Sequence, residues 1–188
     1  SVSSEMNYVF IHNKYYRLSF LQEHNIRFSE DLYMSEDSAF NTIVRLEIPK
    51  NRTGQINTSE PLYAWCRRSG SITMDFSKWL SNVEGHFDRN LYILDEYRKR
   101  NLDNYELMVA STITDVYVML HRTGAPKPSE RFVERVRLFY QMHKQEYLAV
   151  PEDKVMAAMA AGDKDLGTDE KNKLGRETLQ DWIQYTLE

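Results

Sequence analysis

Cysteine, glycine and long apolar runs are scarce in this sequence, and each shortage excludes a class of protein. The only cysteine is Cys66, which excludes an intrachain disulfide and is compatible with a reducing compartment. No apolar stretch approaches the roughly 20 residues that a membrane-spanning helix needs. The seven glycines form neither a phosphate-binding loop nor a nucleophile elbow, and the five histidines lack metal-ligand spacing. The sequence therefore predicts no metal site in this chain.

Neither sign of charge dominates. The 24 basic and 28 acidic residues are largely intermixed and leave a net charge of −4. A nucleic-acid partner is not expected, because its binding requires a basic face or stripe. The densest basic run, Arg98 to Arg100, is typical of a solvated helix end. A hydrophobic fraction of 41% and an aromatic fraction of 12% instead predict a folded globule.

The chain has two regions with different secondary-structure patterns, which together predict a mainly α protein of the α+β class. Residues 1–74 mix short β-rich runs, short helices and turns, whereas residues 75–188 are almost wholly helical in pattern. In the first region we expect strands and helices over the following residues: strands at 8–11, 53–58 and 62–67, extended chain at 25–28, and helices at 14–24 and from Ser35, the predicted N-cap, to Pro49.

The pattern of the second region predicts a bundle of four or five amphipathic helices. The predicted helices are the following: 76–100, a central helix around 107–120, a helix capped by Ser129, a short helix at 151–160 and a last helix at 171–185. The Trp, Met and Tyr stripes of these helices are typical of a packing core rather than of a cofactor site. Pairing of two copies through these helices, or through an exposed apolar face, is a possible homodimer contact.

An ordered series of short motifs runs through the first region. Residues 14–21 read KYYRLSFL, 25–28 read NIRF, 36–41 read EDSAFN, 60–65 read EPLYAW, and 67–73 read RRSGSIT. Over about residues 8–75 this series resembles the C-terminal part of family-2 glycosyltransferases, especially bacterial enzymes of surface-polysaccharide synthesis. The matching family patterns are K-x-Y-R-x-x-F-L, I-x-F, E-D-x-x-F, P-L-Y-x-Y and R-x-G-S-I-T, in the same order.

The resemblance implies that Asp37 is the general base of an inverting sugar transfer, with Glu36 beside it. A carboxylate in reach of a sugar hydroxyl can remove its proton while that oxygen attacks the anomeric carbon. A start of a helix also favours the ionised carboxylate. The alternative is that Glu36 and Asp37 merely cap their helix. The dipeptide also occurs at Glu30 and at Glu152, but only Glu36-Asp37 lies between the flanking motifs.

Four cations and one aromatic residue are candidates for substrate binding. Lys14, Arg17, Arg67 and Arg68 are candidate contacts to the diphosphate or the acceptor, because departing phosphate charge needs cations. Each of them has the alternative of a surface charge or of an ion pair with a nearby glutamate. Trp65 is a candidate to stack on an acceptor sugar, or it is a core residue of a strand.

The resemblance also implies parts that these residues do not supply. Family members bind the nucleotide sugar on an upstream α/β half, where an Asp-x-Asp motif holds a divalent metal, Mg²⁺ or Mn²⁺. We expect that half to be absent here. Asp163 to Asp165 has the residue types of the Asp-x-Asp motif, but it lies in a predicted polar loop after the helical region and does not follow a strand. The chain alone is then expected to be inactive. The parent is expected to act on a saccharide or lipid-linked acceptor in the cytoplasm, with peripheral association with the inner face of the membrane as the alternative.

Two other functions remain open from the sequence. One is a non-enzymatic helical interaction or adaptor module, which the crowded helices after Asp75 favour. An apolar face left bare on residues 8–73 would favour the transferase, and a self-contained core there would favour the adaptor. The other is a hydrolase that uses Glu36 or Asp37 with a second carboxylate, for which no partner is identifiable.

Overall fold

The chain divides into two compact units, Ser1–Asp75 and Phe76–Glu188, which are described separately. The structure is a computed structural model and describes residues 11–12, 14–48, 78–121, 125–162 and 176–188. The boundary between the two units lies one residue after the boundary that we predicted from the change in secondary-structure pattern. The interpretation of the first unit as a glycosyltransferase remnant stays a prediction.

The protein is mainly α-helical, which confirms the predicted fold class. The helices have the following bounds: α1 Leu18–Glu23, α2 Glu36–Glu47, α3 Trp79–Lys99, α4 Tyr105–Leu120, α5 Glu130–Met142, α6 Lys144–Ala149, α7 Glu152–Gly162 and α8 Arg176–Trp182. A π-helical turn, Ile183–Leu187, follows α8. Over the described residues there is no strand. The predicted strands at 53–58 and 62–67 lie outside those residues, as does all but the last residue of the one at 8–11.

The first unit buries the inner face of α2. Its buried apolar residues are the following: Ile26, Met34, Ala39, Phe40, Ile43 and Val44. The spacing of the last four follows the helical period, so one stripe of α2 faces inward. Phe28 stacks on Phe40 with ring centroids 4.2 Å apart and an interplanar angle of 4°. This contact holds the segment after α1 against α2.

The second unit is built around α4, as its apolar composition predicts. This helix packs against α3, α6 and α7, and Val109, Ile113 and Tyr117 are completely buried in it. Phe87 of α3 meets Phe132 and Phe139 of α5 edge to face, with centroids 5.7 and 5.6 Å apart. Such edge-to-face contacts add to the stabilisation from burial alone. The helical region is therefore one core rather than a string of independent helices.

Some predicted helix ends were wrong. The predicted helix at 14–24 begins only at Leu18, because residues 14–17 are irregular and Arg17 has extended backbone angles. Ser129 caps α5 as predicted, since its Oγ accepts from Phe132 N at 3.2 Å. Ser35 does precede α2, but it is left-handed at φ 61° and its side chain makes no capping bond. The α6 helix has no counterpart among the predictions, and the π turn coincides with the end of the predicted helix at 171–185, whose π character was not predicted.

None of the helices in the part of the chain that the structure describes combines the length and the apolar character needed to cross a membrane.

Candidate functional site

Asp37 lies at the start of α2, at the second position of the helix. The chain enters the helix through the left-handed Ser35, so the first turn follows a sharp change of direction. Asp37 is partly exposed, and its Oδ2 accepts from Ile11 N at 3.4 Å. Glu36 is exposed. The carboxylate of Asp37 therefore keeps the solvent contact that a general base needs, while its bond to Ile11 is also consistent with a structural role.

The irregular segment before α1 brings two titratable side chains to Asp37. Partial burial lowers the pKa of Lys14, and the Asp37 carboxylate opposes that shift. Burial, and secondly Asp37, raises the pKa of Tyr16 to about 12. The Tyr16 hydroxyl is therefore protonated at neutral pH and acts as a hydrogen-bond donor. Of the predicted binding residues, the structure brings Lys14 close enough to interact electrostatically with Asp37.

Tyr16 is fixed against α2 by two contacts. Its ring meets Phe40 edge to face, with centroids 5.2 Å apart and an interplanar angle of 82°. Its hydroxyl donates a short hydrogen bond to Asn41 Oδ1. Asn41 lies four residues after Asp37, so the amide and the carboxylate lie on the same side of the helix. Neither Tyr16 nor Asn41 was predicted from the sequence, where the spacing of Asp37 and Asn41 was the available signal.

Of the other predicted binding residues, the structure describes Arg17. Arg17 is exposed and occupies the N-cap position of α1. Trp65, Arg67 and Arg68 lie outside the described residues, so their predicted roles stay predictions. Asp163 and Asp165 lie outside them too.

A second polar cluster, which the sequence analysis also missed, joins α3 to α4. Asp115 Oδ2 accepts from Asn90 Nδ2 at 3.0 Å and lies 3.4 Å from Arg89 Nη2. Asn90 Oδ1 in turn accepts from Arg89 Nη2 at 2.7 Å. Burial raises the pKa of Asp115 and lowers that of Arg89, and the attraction between the two opposes both shifts. The cluster joins two helices of the core and is a structural element.

The described residues offer no ready metal centre. Within the ranges given above, no group of three or more His, Cys, Asp or Glu side chains lies close enough to hold an ion. The divalent metal that the resemblance implies therefore has no candidate ligand set among these residues.

No protein-family model, curated protein or solved structure matches this chain at a significant level. The resemblance to family-2 glycosyltransferases therefore depends on the ordered motifs of residues 8–75 alone.

Proposed function

We propose that the first unit is the acceptor side of an inverting, family-2-type glycosyltransferase in which Asp37 is the general base. The observation that supports it most is the placement of Asp37. Asp37 lies in the first turn of a helix, remains partly exposed and interacts electrostatically with Lys14 and Tyr16. The acceptor is a saccharide or a lipid-linked saccharide, and the product belongs to a surface polysaccharide.

The proposed reaction is a single displacement. Asp37 takes the proton of an acceptor hydroxyl as that oxygen forms a bond to the anomeric carbon. The bond from this carbon to the nucleoside diphosphate breaks on the opposite face, and the diphosphate leaves with the bonding electrons. Lys14 supplies positive charge next to the base, and Arg17, Arg67 and Arg68 are candidates to stabilise the diphosphate. The donor and its divalent metal bind to an Asp-x-Asp half of the parent protein.

Exposed apolar side chains on the first unit support this proposal over a self-contained adaptor. Tyr15 is 92% exposed and Tyr33 72% exposed, and Leu18 and Phe28 are also exposed. Large apolar groups in water favour a further surface that covers them. We expect the donor-binding half of the parent protein to pack against these exposed side chains.

The test is an Asp37→Asn substitution in the longest protein encoded with these residues. Release of nucleoside diphosphate is measured with a panel of nucleotide sugars and saccharide acceptors. We expect the rate of transfer to fall by about 10² to 10⁴, because that is the usual contribution of a positioned general base, while donor affinity is unchanged.

Asp153→Asn is the matched control. Asp153 is also the second residue of a helix, α7, and also follows a glutamate, but it lies in the other unit. It should leave transfer within about twofold of the unsubstituted protein. Full transfer by the Asp37 variant would exclude the assigned base.

A helical interaction module is the second candidate, because α5 leaves apolar side chains in water. Leu138 and Met142 are one turn apart on α5 and are 50% and 70% exposed. Such a stripe is suited to contact with a second copy of the chain. Sedimentation equilibrium of the chain and of its Leu138→Gln/Met142→Gln variant tests this candidate: a dimer that the double substitution dissociates would support it, and a monomer throughout would exclude the homodimer.

A further inference from the structure

Asn41 is buried beside the candidate base, and only one end of its amide is satisfied. The residue is 2% exposed, and its Oδ1 accepts from the Tyr16 hydroxyl. Among the residues that the structure describes, its Nδ2 has no hydrogen-bond partner. A buried donor without a partner destabilises the fold, so it needs a reason.

The position of Asn41 suggests what that donor recognises. One side-chain amide offers an acceptor and a donor side by side, which matches two neighbouring hydroxyls of a sugar. The Tyr16 hydroxyl already donates to Asn41 Oδ1, and a sugar hydroxyl could make the same hydrogen bond. The Tyr16 hydroxyl is a donor at neutral pH, as the hydroxyl of an ordinary tyrosine is, and burial raises its pKa further, to about 12.

The contacts of Tyr16 also permit a sugar hydroxyl to replace the Tyr16 hydroxyl on Asn41. It belongs to the irregular segment 14–17, and the contacts described for its side chain are the Asn41 bond and the edge of Phe40. Replacing one hydroxyl by another on Asn41 Oδ1 conserves that hydrogen bond. A second sugar hydroxyl then satisfies Nδ2, which the protein alone does not do.

We propose that Asn41 is a specificity-determining residue for the acceptor saccharide, and that two neighbouring sugar hydroxyls displace Tyr16 from it. One hydroxyl donates to Asn41 Oδ1 and the other accepts from Nδ2, which leaves a further hydroxyl of the same sugar on the side of Asp37. This inference depends on the proposed function, since it names the substrate feature that the Asp37 site recognises.

The experiment is a titration of the chain with methyl glycosides, followed by ¹H–¹⁵N nuclear magnetic resonance. Methyl α-glucoside, methyl α-galactoside and methyl α-mannoside each carry neighbouring hydroxyls, and tetrahydropyran-2-methanol, which lacks them, is the control. Concentrations up to about 100 mM cover the weak affinity expected of a monosaccharide. The side-chain amide resonances of Asn41 should shift with at least one glycoside and not with the control.

Two substitutions distinguish displacement from a purely structural role. Tyr16→Phe removes the competing hydroxyl, so the glycoside Kd should fall by about threefold to tenfold. Asn41→Asp keeps the acceptor for Tyr16 and removes the donor, so the Kd should rise by at least about tenfold. If Tyr16 were only structural, its substitution would leave the Kd unchanged, and if it contacted the sugar directly, the Kd would rise.

The outcomes separate this inference from the proposed function. If glycosides shift the backbone amides of residues 36–38 but not the Asn41 side chain, saccharide binding near Asp37 stands and the role of Asn41 is refuted. If Tyr16→Phe does not tighten binding, displacement is refuted. If no resonance of the first unit shifts, the inference is also overturned, while the transfer assay with the Asp37 variant decides the proposed function independently.

Discussion

Removing Arg89 should destabilise the second unit by an amount that depends on pH. Arg89 Nη2 lies 3.4 Å from Asp115 Oδ2, and the two side chains are only 17% and 26% exposed. Without the guanidinium, Asp115 keeps a hydrogen bond from Asn90 but loses its cation. Breaking a buried pair from one side usually costs about 3 to 5 kcal/mol.

The ability of Asp115 to take up a proton limits this loss. Protonating a carboxyl of ordinary pKa 3.8 at pH 7 costs about 4 kcal/mol, and at pH 5 about 1.6 kcal/mol. For Arg89→Met we therefore expect a loss of about 3 kcal/mol at pH 7, and less than about 2 kcal/mol at pH 5. The direction of this pH dependence follows from the pKa of Asp115. Because that pKa is higher in the folded than in the unfolded state, the free energy of unfolding decreases as pH rises through the folded pKa.

The triple variant Arg89→Met/Asn90→Leu/Asp115→Leu isolates the polar cluster. Burial opposes the charged forms of Arg89 and Asp115 more than their attraction favours them. Asn90 is replaced with them, because its buried amide donates to Asp115 and accepts from Arg89 and would otherwise lose both partners. Replacing all three by apolar groups should leave stability within about 1 kcal/mol of the original. Because the chain has two units, the suitable assay is hydrogen exchange of the buried α4 amides, which reports on the second unit alone. The reasoning would be refuted if the triple variant were as unstable as the single one, or if the loss in the single variant did not change between pH 5 and pH 7.

Two further predictions concern acid stability and helix capping. Burial, and secondly Arg89, lowers the pKa of His86 to about 4, so the contribution of His86 to stability should be constant above pH 6.5 and fall by up to about 3 kcal/mol between pH 6.5 and 4. Hydrogen exchange of the buried α3 amides at several pH values measures the acid loss of the second unit, and His86→Gln should reduce it; an equal loss in the variant would contradict the assignment. Ser129→Ala should cost about 1 kcal/mol, because the Ser129 side chain then no longer accepts from Phe132 N, whereas Ser129→Asp keeps an acceptor at this position and should cost only a few tenths of a kcal/mol. Equal losses in the two variants, measured by hydrogen exchange of the α5 amides, would show that the cap does not stabilise α5.

The helical core was predictable because its signals are local. Val109, Ile113 and Tyr117 recur at helical spacing within a segment that is apolar on most faces, and that pattern predicts a central helix. The cap by Ser129 follows from residue type and position alone. These features need no information about distant residues.

Long-range geometry limited the prediction of the site. The start of α1 was placed too early because periodicity cannot show that Tyr16 uses its ring on Phe40, 24 positions away in the chain, rather than in a helix. The left-handed Ser35 was missed for a similar reason, since serine before an acidic pair ordinarily predicts a capping bond. Asp37 and Lys14 were selected through the family resemblance, and the structure brings them together, although their roles remain predictions.

Two asparagines with nearly equal burial show the difference between the two units. Asn90 is 1% exposed and uses both ends of its amide, since Nδ2 donates to Asp115 and Oδ1 accepts from Arg89. Asn41 is 2% exposed and uses one end. A satisfied amide that joins two helices is explained by packing and needs no ligand. An amide with an unpartnered donor, four residues after a partly exposed carboxylate, is not explained in that way. For this reason we expect a ligand site at α2, whereas the polar cluster between α3 and α4 joins two helices of the core.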